Sequence, residues 1–189
     1  MKTKSIVIFL ALVALILTSC DHDTIRAKGE VTSLAYSIPD YSSLRVSHAF
    51  DVYVTFSDTE ESIRIEANEN LHDEVIVKRD ENTLVIKLKT FTSVRGNATL
   101  KAYISTKNIE DFDLSGASTV RLENEWNVRN GGIGLSGASD FTGEIIADRL
   151  NLHMTGASNT DLFGNVVAMD ADLSGSSDIR DYDLDVQRL

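Results

Sequence analysis

One motif recurs four times in the second half of the chain, and its spacing restricts the fold more than any other feature. The copies are FDLSGAS from Phe112, IGLSGAS from Ile133, LHMTGAS from Leu152 and ADLSGSS from Ala171. Their glycines, Gly116, Gly137, Gly156 and Gly175, are spaced 21, 19 and 19 residues apart. A period near 20 with strand-forming residues predicts one coil of a β-solenoid per copy. Two apolar columns would fill the interior: Phe112, Ile133, Leu152 and Ala171, then Leu114, Leu135, Met154 and Leu173. Asp113, Gly134, His153 and Asp172, lying between them, would point outward. The glycine column predicts a bend that other residues resist. Ser118, Ser139, Ser158 and Ser177 would stack as a hydroxyl ladder. The competing architecture is a sandwich of hairpins carrying a repeated turn.

Before residue 110 the texture differs. Only Gly29 and Gly96 occur there, and the period is two. Alternation is evident in Phe50–Phe56, Ile63–Ile65, Val75–Val77, Leu84–Leu88 and Leu100–Ile104, with turn clusters such as Asp80-Glu81-Asn82 between runs. This predicts short strands. The expected fold is therefore all-β: a parallel β-helix of about 20 residues per coil with a strand-rich N-terminal half. Right-handed winding is the favoured hand of a parallel crossover.

The N-terminus reads as an address. Lys2 and Lys4 precede an unbroken apolar run, Ile6–Leu17. Twelve residues are too few to cross a bilayer, which needs about 20, but suit the core of a secretory signal. Leu17-Thr18-Ser19-Cys20 follows and resembles the lipobox of bacterial lipoproteins. The resemblance implies cleavage after Ser19 and acylation of Cys20, the chain's single cysteine. The expected organisation is a signal peptide over 1–19, a lipidated tether over 20–30, and one domain over 31–189 with four repeats within 110–180.

Eighteen Lys+Arg against 29 Asp+Glu give a net charge of −11, and loss of Lys2 and Lys4 would make it −13. Such acidity argues against a nucleic-acid partner, because no excess of cations neutralises phosphates. A single cysteine excludes an intrachain disulfide.

The Ser-Gly-Ala-Ser repeats, preceded by a strand-rich half containing Phe50-Asp51-Val52-Tyr53-Val54, resemble the putative auto-transporter adhesin, head GIN domain family. The resemblance spans roughly residues 40 to 189. It implies a parallel β-helix on an exported bacterial protein, often a lipoprotein, and brings no catalytic residues with it. It also implies further copies. Leu189 falls where a fifth copy would begin, which predicts an open C-terminal coil edge available for self-association.

Few residues point to chemistry. The histidines, His22, His48, His72 and His153, show no metal-ligand spacing. Ser-Gly-Ala-Ser lacks the strand-to-helix elbow of a catalytic serine. The best metal candidates are Asp140, Asn159 and Asp178, which follow three of the repeats in the column begun by Thr119. Stacked oxygens suit Ca²⁺; the alternative is side-chain capping of the turn. Glu123, Glu125 and Asp181 could act as acids, but nothing in the sequence pairs them. Aromatics able to stack on sugars are scarce, with Trp126 the only Trp.

The expected function is a lipid-anchored, non-enzymatic protein of the outer membrane, without cofactor, serving as an adhesin or surface-binding scaffold for a glycan or protein ligand. A carbohydrate-active or Ca²⁺-dependent glycan-binding protein is one alternative. A structural subunit of an envelope complex is the other.

Overall fold

The computed structural model describes residues 23–189. The expected signal peptide and the lipidation site Cys20 lie outside the described residues.

Fifteen strands and one short 3-10 helix make up the described residues. The first half contains β1 (Asp23–Arg26), β2 (Val31–Tyr36), β3 (Ser43–Val46), β4 (Asp51–Phe56) and β5 (Ser62–Asn68). The helix Glu69–Glu74 follows, then β6 (Val75–Asp80), β7 (Thr83–Leu88), β8 (Thr92–Arg95) and β9 (Leu100–Thr106). The repeat region holds β10 (Asp111–Leu114), β11 (Thr119–Leu122), β12 (Trp126–Leu135), β13 (Asp140–Met154), β14 (Asn159–Leu173) and β15 (Asp178–Val186).

Each period-two run of the first half forms a strand, and four of these strands send alternate aliphatic side chains inward. Val52 and Val54 of β4, Ile63 and Ile65 of β5, Leu84 and Ile86 of β7, and Ala102 and Ile104 of β9 all enter the core. Asp23–Arg26, within the expected tether, forms β1 and pairs with β8 as a separate two-stranded sheet.

The arrangement of the strands corrects the expected architecture. They do not build a parallel β-helix, and the repeats are not the windings of a free-standing solenoid. A single 13-stranded sheet of mixed orientation runs β2-β5-β9-β4-β11-β13-β12-β10-β3-β7-β6, with β14 and β15 added beyond β13. It curls into a nearly closed, barrel-like wrap around one core. The pairs β2–β5, β5–β9 and β6–β7 are antiparallel. The physical reason is connection length. Only Glu81 and Asn82 separate β6 from β7, and Glu81 turns with φ +55°. A two-residue link permits only an antiparallel neighbour, whereas a parallel return needs a dozen or more residues.

The repeat segments join this sheet through parallel pairs. Phe112 aligns with Ile133, Ile133 with Leu152, and Leu152 with Ala171. The first three are buried; Ala171 is half-buried, and Leu173 is 38% exposed. Trp126, Phe112 and Phe141 form an edge-on aromatic cluster in the core, with Trp126 and Phe141 each about 5 Å from Phe112. The indole Nε1–H of Trp126 donates to the Ile109 carbonyl at 2.7 Å, so its one polar atom is satisfied in the interior.

Candidate functional site

The repeat turns are the first place to look for chemistry, and their geometry is structural. Gly116, Gly137, Gly156 and Gly175 have φ between +76° and +83°. Each carbonyl of the first three accepts a hydrogen bond at 2.7 Å from the amide after the next repeat glycine. A Cβ on Gly137, Gly156 or Gly175 would lie 2.5 Å from the preceding glycine's oxygen. The file begins one position earlier than the motif suggests. His48 holds φ +81°, and its carbonyl accepts from Ala117 at 2.6 Å. Val46-Ser47-His48-Ala49 is thus a degenerate copy of Leu114-Ser115-Gly116-Ala117, with β3 registered on β10 and β4 on β11. Histidine in place of glycine hid it. Burial lowers the His48 pKa and the Lys87 charge adds to this, against a backbone hydrogen bond at Ser47.

The serines of the expected ladder do stack from turn to turn, but each hydroxyl bonds within its own turn. Ser118, Ser139, Ser158 and Ser177 each donate back to the carbonyl three residues earlier, at 2.8–3.0 Å. The first three are fully buried, which is why they need a partner within their own turn.

Thr119, Asp140, Asn159 and Asp178 do align across β11, β13, β14 and β15, and Asp51 of β4 extends the row. The asparagine's Nδ2 donates to Asp140 Oδ1 at 3.0 Å, and Arg180 donates to Asn159 Oδ1 at 3.2 Å. Arg180 also approaches Asp178 at 3.6 Å. An amide N–H and a guanidinium therefore occupy the places where a cation would seek oxygens. Among the described residues, no group of three acidic, His or Cys side chains is arranged to hold a metal. Elsewhere His153 pairs with Asp172 at 3.3 Å, and His72 bonds Thr32 Oγ1 at 2.9 Å. His22 lies outside the described residues.

A different cluster stands out on the outer face of β5, β9, β4 and β11. Registered pairing places Arg64, Tyr103, Tyr53 and Arg121 in one cross-sheet row, pointing away from the core because their chain neighbours point in. The Tyr53 and Tyr103 rings stack 5.1 Å apart at an interplanar angle of 13°. The Arg64 guanidinium lies 4.0 Å from the Tyr103 centroid on its other side, a cation–π contact. Arg64 is also paired with Glu66, and the Tyr103 hydroxyl donates to the same carboxylate at 3.2 Å. Desolvation first, then the Glu66 charge, raises the Tyr103 pKa, so the phenol stays a donor.

Beside this row the face opens into a shallow groove of about 760 Å³, lined by Tyr53, Tyr103 and Arg64 together with Thr55, Ser62, Ser105, Glu60 and Glu123. Ser62 Oγ donates to Glu60 Oε1 at 3.3 Å and Ser105 Oγ to the Glu60 carbonyl at 2.9 Å. Sequence reasoning missed Tyr53 and Tyr103 and looked to Trp126, which is fully buried. The signal was present in Val52-Tyr53-Val54 and Ala102-Tyr103-Ile104: each sets an outward tyrosine between inward aliphatics. That the two tyrosines stand side by side depends on β4 pairing with β9, 50 residues on. Glu123 was noted as an unpaired acid; the fold brings it to the groove, while Glu125 does not line it.

The family profile of the putative auto-transporter adhesin, head GIN domain matches residues 40–189. A solved putative adhesin from Parabacteroides distasonis ATCC 8503 is 18% identical, with TM-score 0.66, over 88% of this chain and 79% of that one. One from Bacteroides fragilis NCTC 9343 is 17% identical, with TM-score 0.64, over 87% of this chain and 97% of that one. A solved protein described as a putative lipid binding protein, also from Parabacteroides distasonis, is 18% identical with TM-score 0.66, covering 87% of this chain and 78% of that one. No curated protein matches the chain.

Proposed function

Since the chain belongs to the putative auto-transporter adhesin, head GIN domain family, we propose that it is an exported cell-envelope adhesin of non-enzymatic type. The mature protein is held to the outer membrane by acyl chains on Cys20. Two or more such chains give durable anchoring, at about 0.8 kcal/mol per buried CH₂. Binding is the task of the outer sheet face carrying Tyr53 and Tyr103.

One observation carries this reading. The tyrosine pair stands on central strands and is fixed from one side by Arg64 and Glu66, so a polar–aromatic surface is held ready without a mobile loop. Ligand contact then loses little side-chain freedom. Many copies in one membrane multiply weak contacts into firm attachment.

The test uses the full chain in a Gram-negative host. Labelled palmitate should enter the wild type but not Cys20→Ser, and protease added to intact cells should report which side the domain faces. Expressing cells should attach to host-cell or mucin-coated surfaces better than vector controls. Equal attachment by both, or an unlabelled wild type, refutes the corresponding half of the proposal.

A further inference from the structure

We infer that the groove beside Tyr53 and Tyr103 is a saccharide site that takes a neutral pyranoside; this rests on the adhesin reading and names its ligand class. The volume, about 760 Å³, falls within the range of roughly 300–1,000 Å³ seen for small-ligand sites.

The free hydrogen-bonding capacity of the groove selects the ligand. The Tyr103 hydroxyl is spent on Glu66 and the Ser62 and Ser105 hydroxyls on Glu60, while Arg64 engages Glu66 and Ser33 through Nη1 alone. Among the described residues, no hydrogen bond or ion pair engages the Glu123 carboxylate or the Tyr53 and Thr55 hydroxyls. The groove therefore offers acceptors and donors together: the two Glu123 oxygens, the two hydroxyls, and the Arg64 N–H groups beyond Nη1. A complementary ligand brings many hydroxyl groups, each able to donate and accept. It also needs an apolar patch, because the stacked rings of Tyr53 and Tyr103 line the groove, with Arg121 of β11 registered beside Tyr53. A pyranoside joins these properties, with a rim of hydroxyls around a ring that has a C–H face.

Charge excludes the anionic members of that class. Glu60 and Glu123 line the groove and Glu66 stands beside it, three carboxylates against the guanidinium groups of Arg64 and the neighbouring Arg121. A phosphate, sulfate or acidic sugar would meet net repulsion in a chain of formal charge −11.

Full-length protein in detergent is titrated with methyl β-glucopyranoside, methyl β-galactopyranoside, methyl α-mannopyranoside and methyl N-acetyl-β-glucosaminide, with sialic acid as the anionic probe. Saturation-transfer NMR is the readout. At least one neutral pyranoside should bind saturably with millimolar affinity. Glu123→Gln and Tyr53→Ala should each weaken it about tenfold, and Asp140→Asn, outside the groove, should not. Because Glu123 is exposed at the rim, its variant keeps the test valid if Tyr53→Ala fails to fold. Absence of saturable binding by any neutral probe at about 20 mM, indifference to Glu123→Gln, or preference for sialic acid overturns the inference. If cells attach but Tyr53→Ala and free pyranoside change nothing, the saccharide site falls and the adhesin reading stands. If the pyranoside binds but cells do not attach, the adhesin reading falls instead.

Discussion

Replacing Gly137 with alanine tests the seam that ties the repeat turns together. At φ +77° an L side chain costs about 1–2 kcal/mol. The added Cβ would also sit 2.5 Å from the Gly116 carbonyl oxygen and 3.1 Å from its nitrogen. Both are backbone atoms, and the oxygen accepts from the Ala138 amide of the next turn, so no side chain can swing aside. Forcing such an overlap costs about 1–3 kcal/mol more. Loss of glycine's freedom in the unfolded chain returns about 0.4–1 kcal/mol. The net destabilisation is roughly 2–4 kcal/mol, a large part of the 5–15 kcal/mol typical of a domain. For a chain of this size that lowers Tm by about 4–16 °C. Gly134→Ala is the control. Its φ is not positive, and its nearest Cβ contact, the Phe112 oxygen, is an ordinary 3.7 Å. It should be neutral or more stable by about 0.5–1 kcal/mol. Urea unfolding followed by far-UV circular dichroism reads both. Gly137→Ala within about 0.5 kcal/mol of wild type, or Gly134→Ala destabilised as much, would refute the reasoning.

Two other results are expected. Ca²⁺ should not move the Tm of wild type, and Asp140→Ala should cost about 0.5–1.5 kcal/mol with or without the ion, because it removes the acceptor of the Asn159 amide; a Ca²⁺-dependent rise abolished by Asp140→Ala would contradict this. His48 has a folded-state pKa below its unfolded value, chiefly through burial. The stability it contributes is complete above the ordinary imidazole range and is lost as pH falls through it. His48→Gly, which suits φ +81°, should therefore stay within about 1 kcal/mol of wild type at pH 7.5. It should also lose less stability than wild type between about pH 7.5 and 5.5. Parallel pH profiles of the urea midpoint would disprove it.

The local elements could be read from residue patterns because they are set by nearest neighbours. Val52-Tyr53-Val54 and Ala102-Tyr103-Ile104 alternate because a strand alternates, whatever lies beside it. The repeat glycines likewise declared a bend that other residues resist, and the structure gives each a positive φ. What failed was the step from repeat to architecture. The spacing of the copies describes only the parallel neighbours in the second half, and the two-residue link Glu81-Asn82 already required an antiparallel pair in the first. The candidate Ca²⁺ row is aligned as expected, yet Asn159 and Arg180 consume its oxygens, and no spacing rule predicts who donates to whom.

By itself, then, the amino-acid order determined that the described chain is strand-rich throughout, where most of its turns fall, and which face of most strands is apolar. It also carries the acidity and the leader-like start. Tertiary structure alone decided that the strands close into one mixed sheet, that His48 heads the glycine file, and that Tyr53 meets Tyr103 with Arg64 and Glu66 beside them. Alternation and turn propensity are local and repeat within a few residues. Register between strands 50 residues apart is settled only when the whole core is buried at once, so the surface it assembles is written in no single segment.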